Sequence, residues 1–332
     1  MVKASIRINL LNIADKLKQI FMKRFLLFIP SVIILAAVIL YSNPAELLTV
    51  ISEANMFYIY LAFVFSFIAT LLRVAKWWIL LDGVSYSKLF PIQIFGMVFS
   101  NFTPGKVAEP AKTLLLKMRS GLNVSKTLPT IIWERIFDLI VLIFLAISAL
   151  LFFGLSGFAQ IGLAAIAIFS VLIAVLIFAM KNKAFGMKLF NIARKLPILK
   201  RISKKFVEAF YRTKMKNRRL VTSLFITIWP WILEGVILYF VLLAIGIQLN
   251  PIMLASLIAL GDLIAIASFL PGGLGTFEVV SVLFLGVFGV QAATATAGII
   301  LYRFASFWFS AFIGAISFAY LSRKIDIKNI LK

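Results

Sequence analysis

The chain of 332 residues contains no cysteine and no histidine. Their absence excludes a disulfide framework, a thiol nucleophile, a metal site built from Cys or His, and a histidine general base. A nucleotide-binding motif is also missing, so we expect no ATP hydrolysis, no metal and no cofactor. Charged residues make up only 14% of the chain, whereas soluble domains carry about 25%. The composition therefore argues against a soluble enzyme.

Apolar residues supply 63% of the sequence, and they form runs long enough to span a membrane. A helix of about 20 apolar residues crosses the hydrocarbon core of a bilayer, which is about 30 Å thick. These runs predict an all-α polytopic membrane protein. We expect full spans at about 25–41, 57–81, 128–152, 160–180, 220–246 and 291–320.

Basic residues outnumber acidic ones by 34 to 12, which gives a net charge of +22. In a soluble protein this excess would favour nucleic acid as a partner. Here the basic residues flank the apolar runs, so membrane orientation explains most of them and we expect no nucleic-acid partner. The segment 181–219 alone holds fourteen Lys and Arg and one acid, Glu208. The positive-inside rule therefore places this segment and both termini on the cytoplasmic side of a plasma membrane.

Two further apolar stretches, 89–118 and 251–290, are interrupted in the middle by Pro-Gly. The positions of the basic segments require the first stretch to enter and leave on the cytoplasmic side, and the second on the outside. We therefore predict two re-entrant hairpins that enter from opposite faces. For 251–290 a complete span stays an alternative, because its first arm is long enough to cross.

The predicted layout has five parts, and the spacing of apolar residues in the first and third predicts helices that lie on the membrane surface. The parts are an amphipathic cytoplasmic helix (1–24), a first membrane half (25–180) with hairpin 89–118, a basic cytoplasmic linker with interfacial helices (181–219), a second membrane half (220–320) with hairpin 251–290, and a basic cytoplasmic tail (321–332).

The two interrupted stretches share a motif, which indicates an internal repeat with inverted topology. Phe-x-Pro-Gly stands at 102–105 and again at 269–272, and a glutamate follows each, Glu109 or Glu278. Such a break is tolerated at membrane depth only where protein buries it or a wet cavity lies beside it. Paired breaks in the two halves of a transporter indicate a binding site where the halves meet.

An arginine follows each break at nearly the same distance. Arg135 lies 31 residues after Pro104, and Arg303 lies 32 residues after Pro271. We expect the two guanidinium groups to grip a phosphate from opposite sides. The helix that starts after each break adds the positive end of its dipole, and Lys106 adds a charge, so we expect a positively polarised cavity.

Ionisable residues inside spans cost at least about 2.5–3.5 kcal/mol each, so they are candidates for function. Glu134 and Asp138 share a helix face near Arg135, and we expect one of them to neutralise it; a purely structural ion-pair network is the alternative. Arg73 and Lys76 are explained by snorkelling to the interface. Four tryptophans are expected to be interface anchors: Trp77, Trp78, Trp229 and Trp231. The candidate substrate-binding residues are Arg135, Arg303, Lys106, Glu109, Glu134, Asp138, Glu278, Pro104, Gly105, Pro271, Gly272 and Gly273.

Taken together, these motifs resemble the flippase-like family known as the lysylphosphatidylglycerol synthase transmembrane region (the UPF0104 type of membrane protein). The resemblance rests on NFTPGKVAEP at 101–110, ERIFD at 134–138, FLPGGLGTFE at 269–278 and the pair Tyr302-Arg303. It implies that anionic or aminoacylated phospholipids, or polyprenyl-phosphate-linked intermediates, are translocated between leaflets. Bifunctional members of the family also carry a C-terminal cytosolic synthase domain. We expect this chain to lack that domain and its activity, because it ends soon after its last predicted span.

The leading hypothesis is a flippase-like transporter whose partners are membrane lipids, either anionic phospholipid or polyprenyl phosphate. Lipid- or glycan-biosynthesis enzymes are the other partners considered. Three alternatives remain: a membrane-embedded glycosyl- or lipid-transferase, a small-anion secondary transporter, and a scaffold that docks an enzyme through 181–219. The transferase ranks lower, because such an enzyme needs an acidic base or a metal site on a soluble loop, and 181–219 offers one acid.

Overall fold

A computed structural model of the chain describes residues 28–103, 108–152, 159–193, 207–208, 210–211, 213 and 215–324. The regular structure of these residues is entirely helical, so the predicted all-α polytopic membrane fold is confirmed. The α-helices are α1 (Phe28–Tyr41), α2 (Pro44–Ser52), α3 (Met56–Leu80), α4 (Tyr86–Asn101), α5 (Ala111–Ser120), α6 (Val124–Phe152), α7 (Ala159–Lys181), α8 (Lys183–Ala193), α9 (Asn217–Ala244), α10 (Pro251–Ala267), α11 (Thr276–Val287), α12 (Ala292–Arg303) and α13 (Phe309–Lys324). A 3₁₀ turn (Pro271–Gly273) precedes α11, and a π-helical turn (Phe304–Trp308) joins α12 to α13.

Several sequence predictions fall on residues outside the described ranges. They are the amphipathic helix 1–24, the tip residues Pro104, Gly105 and Lys106, the linker residues 194–206, 209, 212 and 214, and the tail beyond 324. At the start of the linker α8 is present as a helix, and its placement on the membrane surface stays a prediction.

Four helical stretches of the described residues are long and apolar enough to cross a membrane. They are α3, Gln160–Lys181 of α7, α9, and the continuous Ala292–Arg323 helix formed by α12, the π turn and α13. They coincide with four of the six predicted spans. The predicted span 25–41 falls on α1, which α2 follows at a bend of 84°, and the bent pair of helices would be a fifth span if it crosses the membrane. The helix α6 covers the predicted span 128–152 but carries four charged residues, namely Lys126, Glu134, Arg135 and Asp138. The number of spans therefore stays a prediction.

The centre of the molecule is the pair α3 and α9, which share the most extensive helix contact. Phe65 stacks on Phe240 across this contact, with ring centroids 5.2 Å apart. Next to it, α10 lies against α9 so closely that a Cβ on Gly235 would be 2.6 Å from the Cβ of Ala255. Small side chains thus allow α3, α9 and α10 to form one close-packed apolar core.

The first hairpin consists of α4 and α5. These helices have 16 and 10 residues, so they are about 24 and 15 Å long, too short for two spans of a core about 30 Å thick. They fold back against each other at Gly96, where an added Cβ would lie 2.6 Å from the Cβ of Lys112. Because residue 96 is glycine, the aliphatic part of the buried Lys112 side chain fits between the two helices.

The second hairpin consists of α10, the 3₁₀ turn and α11. Its arms have 17 and 12 residues, or about 26 and 18 Å. Gly273 turns the chain with φ +63°, and a Cβ there would lie 2.7 Å from the Cβ of Ala265. Only glycine combines this backbone conformation with this close approach.

The two hairpins pack on opposite halves of the last long helix. The first contacts α13, where Phe95 stacks on Phe318 at 5.2 Å, and the second contacts α12, where Phe277 stacks on Tyr302 at 5.9 Å. Their tips meet between these contacts, because the carbonyl oxygen of Asn101 lies 3.4 Å from the Cβ position of Gly272. The hairpins thus approach each other tip to tip from opposite ends of one helix.

Candidate functional site

A cavity of about 120 Å³ lies where the hairpin tips meet α3, α6, α9 and α12. At about 30 Å³ per water molecule, as in the liquid, it would hold about four waters. Nine charged residues line it: Arg73, Lys76, Glu109, Glu134, Arg135, Asp138, Glu234, Asp262 and Arg303. So dense a cluster inside an apolar bundle is costly, and function is its default explanation.

Arg135 on α6 is held chiefly by a carboxylate of the first hairpin. Its Nη2 donates to Glu109 Oε1 at 2.5 Å, and its Nε contacts Glu109 Oε2. Asp138 is a more distant partner, with 3.4 Å between Arg135 Nη1 and Asp138 Oδ2. We expected one of the two acids on α6 to neutralise Arg135; Asp138 contributes to this, whereas Glu134 pairs with Lys112. The sequence prediction missed Glu109 as the main partner because it lies 26 residues away.

Arg303 at the end of α12 repeats this arrangement with the second hairpin. Its Nε donates to Glu278 Oε1 at 2.7 Å, and its Nη2 donates to the carbonyl oxygen of Gly272 at 3.2 Å. The residues of this Arg–Glu pair are 25 apart, against 26 in the first pair. The other oxygen of Glu278 accepts the Gly275 N–H at 2.6 Å. The helix N-terminus that we expected to hold an anion is thus occupied by the protein's own carboxylate.

A fully buried lysine connects α5 to α6. Lys112 Nζ donates to Glu134 Oε2 at 2.5 Å, to Glu109 Oε1 at 2.9 Å and to Gln93 Oε1 at 2.8 Å. It also lies 4.3 Å from the ring centroid of Trp77. These partners satisfy all three ammonium protons, which is the condition for burying a charge.

Two further ion pairs cross between α3 and the helices beside it, and both correct the sequence analysis. Lys76 is buried and donates to Asp138 Oδ1 at 2.5 Å, so it does not snorkel to the interface. Arg73 donates to Glu234 Oε1 at 2.5 Å, and Tyr302 donates to Glu234 Oε2 at 2.8 Å. The signal was present in the sequence: Arg73 and Lys76 share one helix face, and acids inside apolar runs need cations.

The tryptophans divide into two groups. Trp77 is buried and donates to Thr130 Oγ1 at 2.8 Å, and Trp231 is buried and donates to Asp138 Oδ1 at 3.2 Å. The prediction that these two anchor the interface is therefore wrong. Trp78 and Trp229 remain substantially exposed, as an anchor requires.

The charges of the site nearly cancel. Its described cations are Arg73, Lys76, Lys112, Arg135 and Arg303, and its acids are Glu109, Glu134, Asp138, Glu234, Asp262 and Glu278. Five cations thus face six acids, which are half of the 12 acids in the chain. The described residues therefore do not form the positively polarised cavity that we expected. Lys106, which that expectation included, lies outside the described ranges.

The structure brings most of the predicted site residues together. Seven of them line the cavity: Glu109, Glu134, Arg135, Asp138, Gly272, Gly273 and Arg303. Glu278 lies behind Arg303, and Pro271 is buried in the 3₁₀ turn. Within the ranges that the structure describes, no group of acids is arranged to hold a metal ion.

The family model described as the lysylphosphatidylglycerol synthase TM region matches residues 28–314, which include every described cavity residue. A UPF0104 membrane protein of Methanothermobacter thermautotrophicus is 27% identical over 333 residues, covering 92% of this chain and 98% of that protein. A UPF0104 membrane protein of Pyrococcus horikoshii is 28% identical over 326 residues, covering 89% and 96%. A phosphatidylglycerol lysyltransferase of Staphylococcus xylosus is 33% identical over 86 residues, which are 26% of this chain and 10% of that enzyme.

Proposed function

The chain belongs to the lysylphosphatidylglycerol synthase transmembrane region family, and we propose that it moves the charged headgroup of a membrane lipid between leaflets. It is a multi-pass membrane protein related to lipid-modifying enzymes. The proposed substrate is an anionic phospholipid or a polyprenyl phosphate, which is also the proposed partner.

The observation that supports this proposal is the ion-paired cavity between the two hairpin tips. Each tip brings a carboxylate to an arginine of the following helix, Glu109 to Arg135 and Glu278 to Arg303. At the first pair a charged headgroup can take the place of the carboxylate without exposing a charge to lipid, because Glu109 also has Lys112 as a partner. Two hairpins from opposite sides of one site are also the arrangement found in transporters with inverted repeats.

The size of the cavity indicates which part of a lipid enters it. About 120 Å³ accommodates a phosphate group with some water but not two acyl chains. Large apolar side chains stand exposed beside the cavity at the second tip and at the π turn, namely Phe269 and Phe304. We infer that the headgroup enters the cavity while the acyl chains stay in the bilayer against this apolar surface.

In the proposed orientation both termini lie in the cytoplasm. The first hairpin (α4 and α5) enters the membrane from the cytoplasm, and the second hairpin (α10, the 3₁₀ turn and α11) enters from the outside. Two observations support it. The base of the first hairpin packs near the end of α13, where Leu116 and Leu321 share an apolar cluster, whereas the second hairpin leads directly into the start of α12. The helix between these points has 32 residues, or about 48 Å, which is enough to separate the two faces of a membrane.

Reconstitution into liposomes tests the proposal. The purified chain is expected to move a fluorescent phospholipid or polyprenyl phosphate between leaflets, and Arg135→Ala is expected to lose this activity. The variant should still fold, because Glu109 keeps Lys112 as a partner and Asp138 keeps Lys76.

The matched control is Arg219→Ala, which removes another arginine–carboxylate pair but at the surface. Arg219 donates to Asp82, an exposed residue whose pKa this hydrogen bond lowers. Exposed pairs contribute about 0–1 kcal/mol, so this variant should transport normally. Wild-type transport by Arg135→Ala would contradict the assignment of the site. Uptake of a water-soluble anion without lipid movement would favour the small-anion transporter, and turnover of a lipid-linked sugar would favour the transferase.

A further inference from the structure

The two arginines that follow the hairpins are related by position in the chain but differ in accessibility. The side chain of Arg135 is 30% exposed, whereas that of Arg303 is 11% exposed. The groups that surround each guanidinium explain this difference in exposure.

Arg303 is closed on its edge and on its faces. Its Nε and Nη2 already donate to Glu278 and to the carbonyl oxygen of Gly272. The ring of Phe277 lies 4.1 Å from the guanidinium carbon, and the ring of Phe307 lies 5.3 Å from it. A ligand could bind the Nε–Nη2 edge of Arg303 only by breaking the contacts that fix the second hairpin tip.

Arg135 presents one edge to a single movable partner. Its Nε and Nη2 both face the two carboxylate oxygens of Glu109, which is the side-by-side geometry in which a guanidinium also binds two phosphate oxygens. Within this pair Arg135 Nε and Glu109 Oε2 are buried but form no well-aligned hydrogen bond. The Nε–Nη2 edge of Arg135 is therefore occupied by the Glu109 carboxylate, which presents two oxygens as a phosphate would but forms one of its two contacts with poor alignment.

Glu109 can leave that edge without becoming an unpaired buried charge. Its Oε1 lies 2.9 Å from Lys112 Nζ, and this lysine is fixed by Glu134 and Gln93. In the part of the chain that the structure describes, the contacts of Glu278 are Arg303 and the Gly275 N–H, so releasing Arg303 would leave that carboxylate without a cation. An exchange of partners is thus far less costly at Glu109 than at Glu278.

We propose that Glu109 occupies the phosphate-binding edge of Arg135 while the cavity is empty, and that the phosphate group of a lipid headgroup displaces it. This rests on the proposed function. During the exchange Glu109 stays with Lys112, and the phosphate takes its two positions on Arg135. Arg303 is a positioning residue that holds the second tip and does not touch the phosphate.

Binding of phosphate compounds to the purified full chain in a phosphate-free maltoside detergent tests this without any transport measurement. Inorganic phosphate and glycerophosphoglycerol (the deacylated diester) are titrated at constant ionic strength, and the thermal unfolding midpoint is followed. Glu109→Gln should lower the half-saturating concentration of the diester about tenfold, equal to about 1.4 kcal/mol, because a neutral amide competes less for Arg135. Arg135→Lys should raise it by about the same factor, because lysine cannot offer a two-point edge.

Two variants control for general effects. Arg303→Lys should lower the unfolding midpoint but leave the half-saturating diester concentration within about twofold of the wild type, and Asp82→Asn should leave both unchanged. Wild-type half-saturation in Glu109→Gln, or equal weakening by Arg303→Lys and Arg135→Lys, would overturn the proposal. Stabilisation by inorganic phosphate alone, or by neither compound, would overturn it as well. If the variants change the half-saturating concentration as expected but liposomes show no lipid movement, the proposed function fails and the assignment of Glu109 stands. If liposomes show lipid movement but the variants do not behave as expected, the assignment of Glu109 fails and the proposed function stands.

Discussion

At the scale of single residues, Lys112 is the side chain on which the buried network depends most. It is fully buried and neutralises Glu109 and Glu134 together. Lys112→Met should destabilise the protein by about 3–5 kcal/mol, because two carboxylates then lose a shared cation in a low-dielectric interior. Reversible unfolding in mixed micelles measures this change.

The control for this prediction lies on the same helix. Lys117 is exposed, so Lys117→Met should change the free energy of unfolding by no more than about 0.5 kcal/mol. Adding Glu134→Gln to Lys112→Met should restore about 0.5–3 kcal/mol of the lost free energy of unfolding, since it removes the negative charge of one of the two carboxylates that lost Lys112. A loss in Lys112→Met no larger than that in Lys117→Met would show that the network does not hold the hairpin.

The sequence predicted the charged members of the site better than it predicted their pairing. Arg135, Arg303 and Asp138 stand inside apolar runs, where a charge is expensive enough to be noticed in one sequence. Their partners come from other elements: Glu109 from a hairpin and Lys76 from another span. Spacing within a helix finds neighbours three or four residues apart, and it cannot find a contact made only when helices pack.

At the scale of helices, the hairpins should be accessible from opposite sides of the membrane. The bases of the hairpins include two exposed residues, Asn123 after α5 and Gln291 after α11. Because the chain has no cysteine, Asn123→Cys and Gln291→Cys each carry one reactive thiol without background. A membrane-impermeant maleimide should label Asn123→Cys only in inside-out vesicles and Gln291→Cys only in intact cells. Labelling of both from the same compartment would contradict the inverted arrangement.

The local sequence pattern explains why the two hairpins could be predicted, whereas the contact between their tips could not. Pro-Gly in the middle of each apolar stretch marks the turns, and the arms of 89–118, which are shorter than a span, favour a re-entrant hairpin there. The tips meet because glycine at position 272 leaves room for Asn101 and for the ring of Phe307. This close approach depends on residues of three separate elements, namely the first hairpin, the 3₁₀ turn and the π turn. A pattern within one element cannot predict it.

At the scale of the whole molecule, the charge distribution separates two tasks. The excess of basic residues lies outside the site, with fourteen Lys and Arg in 181–219, whereas the described site residues are five cations and six acids. The net charge of +22 is therefore no measure of the affinity of the cavity for anions. Within the cavity, selectivity must come from geometry at individual groups such as Arg135.

The small cavity and the apolar surface beside it lead to a prediction about lipid shape. If only the headgroup enters about 120 Å³, then longer acyl chains on the same headgroup should change the transport rate in liposomes by no more than about twofold. Enlarging the headgroup by a disaccharide should slow transport about tenfold or more, an increase of about 1.4 kcal/mol in the barrier, because the sugars do not fit between the hairpin tips unless these separate. Rates compared at equal mole fraction and in one bilayer composition measure both effects. A rate that falls with chain length but tolerates the larger headgroup would mean that the chains pass through the protein, and the cavity would then not be the path of the headgroup.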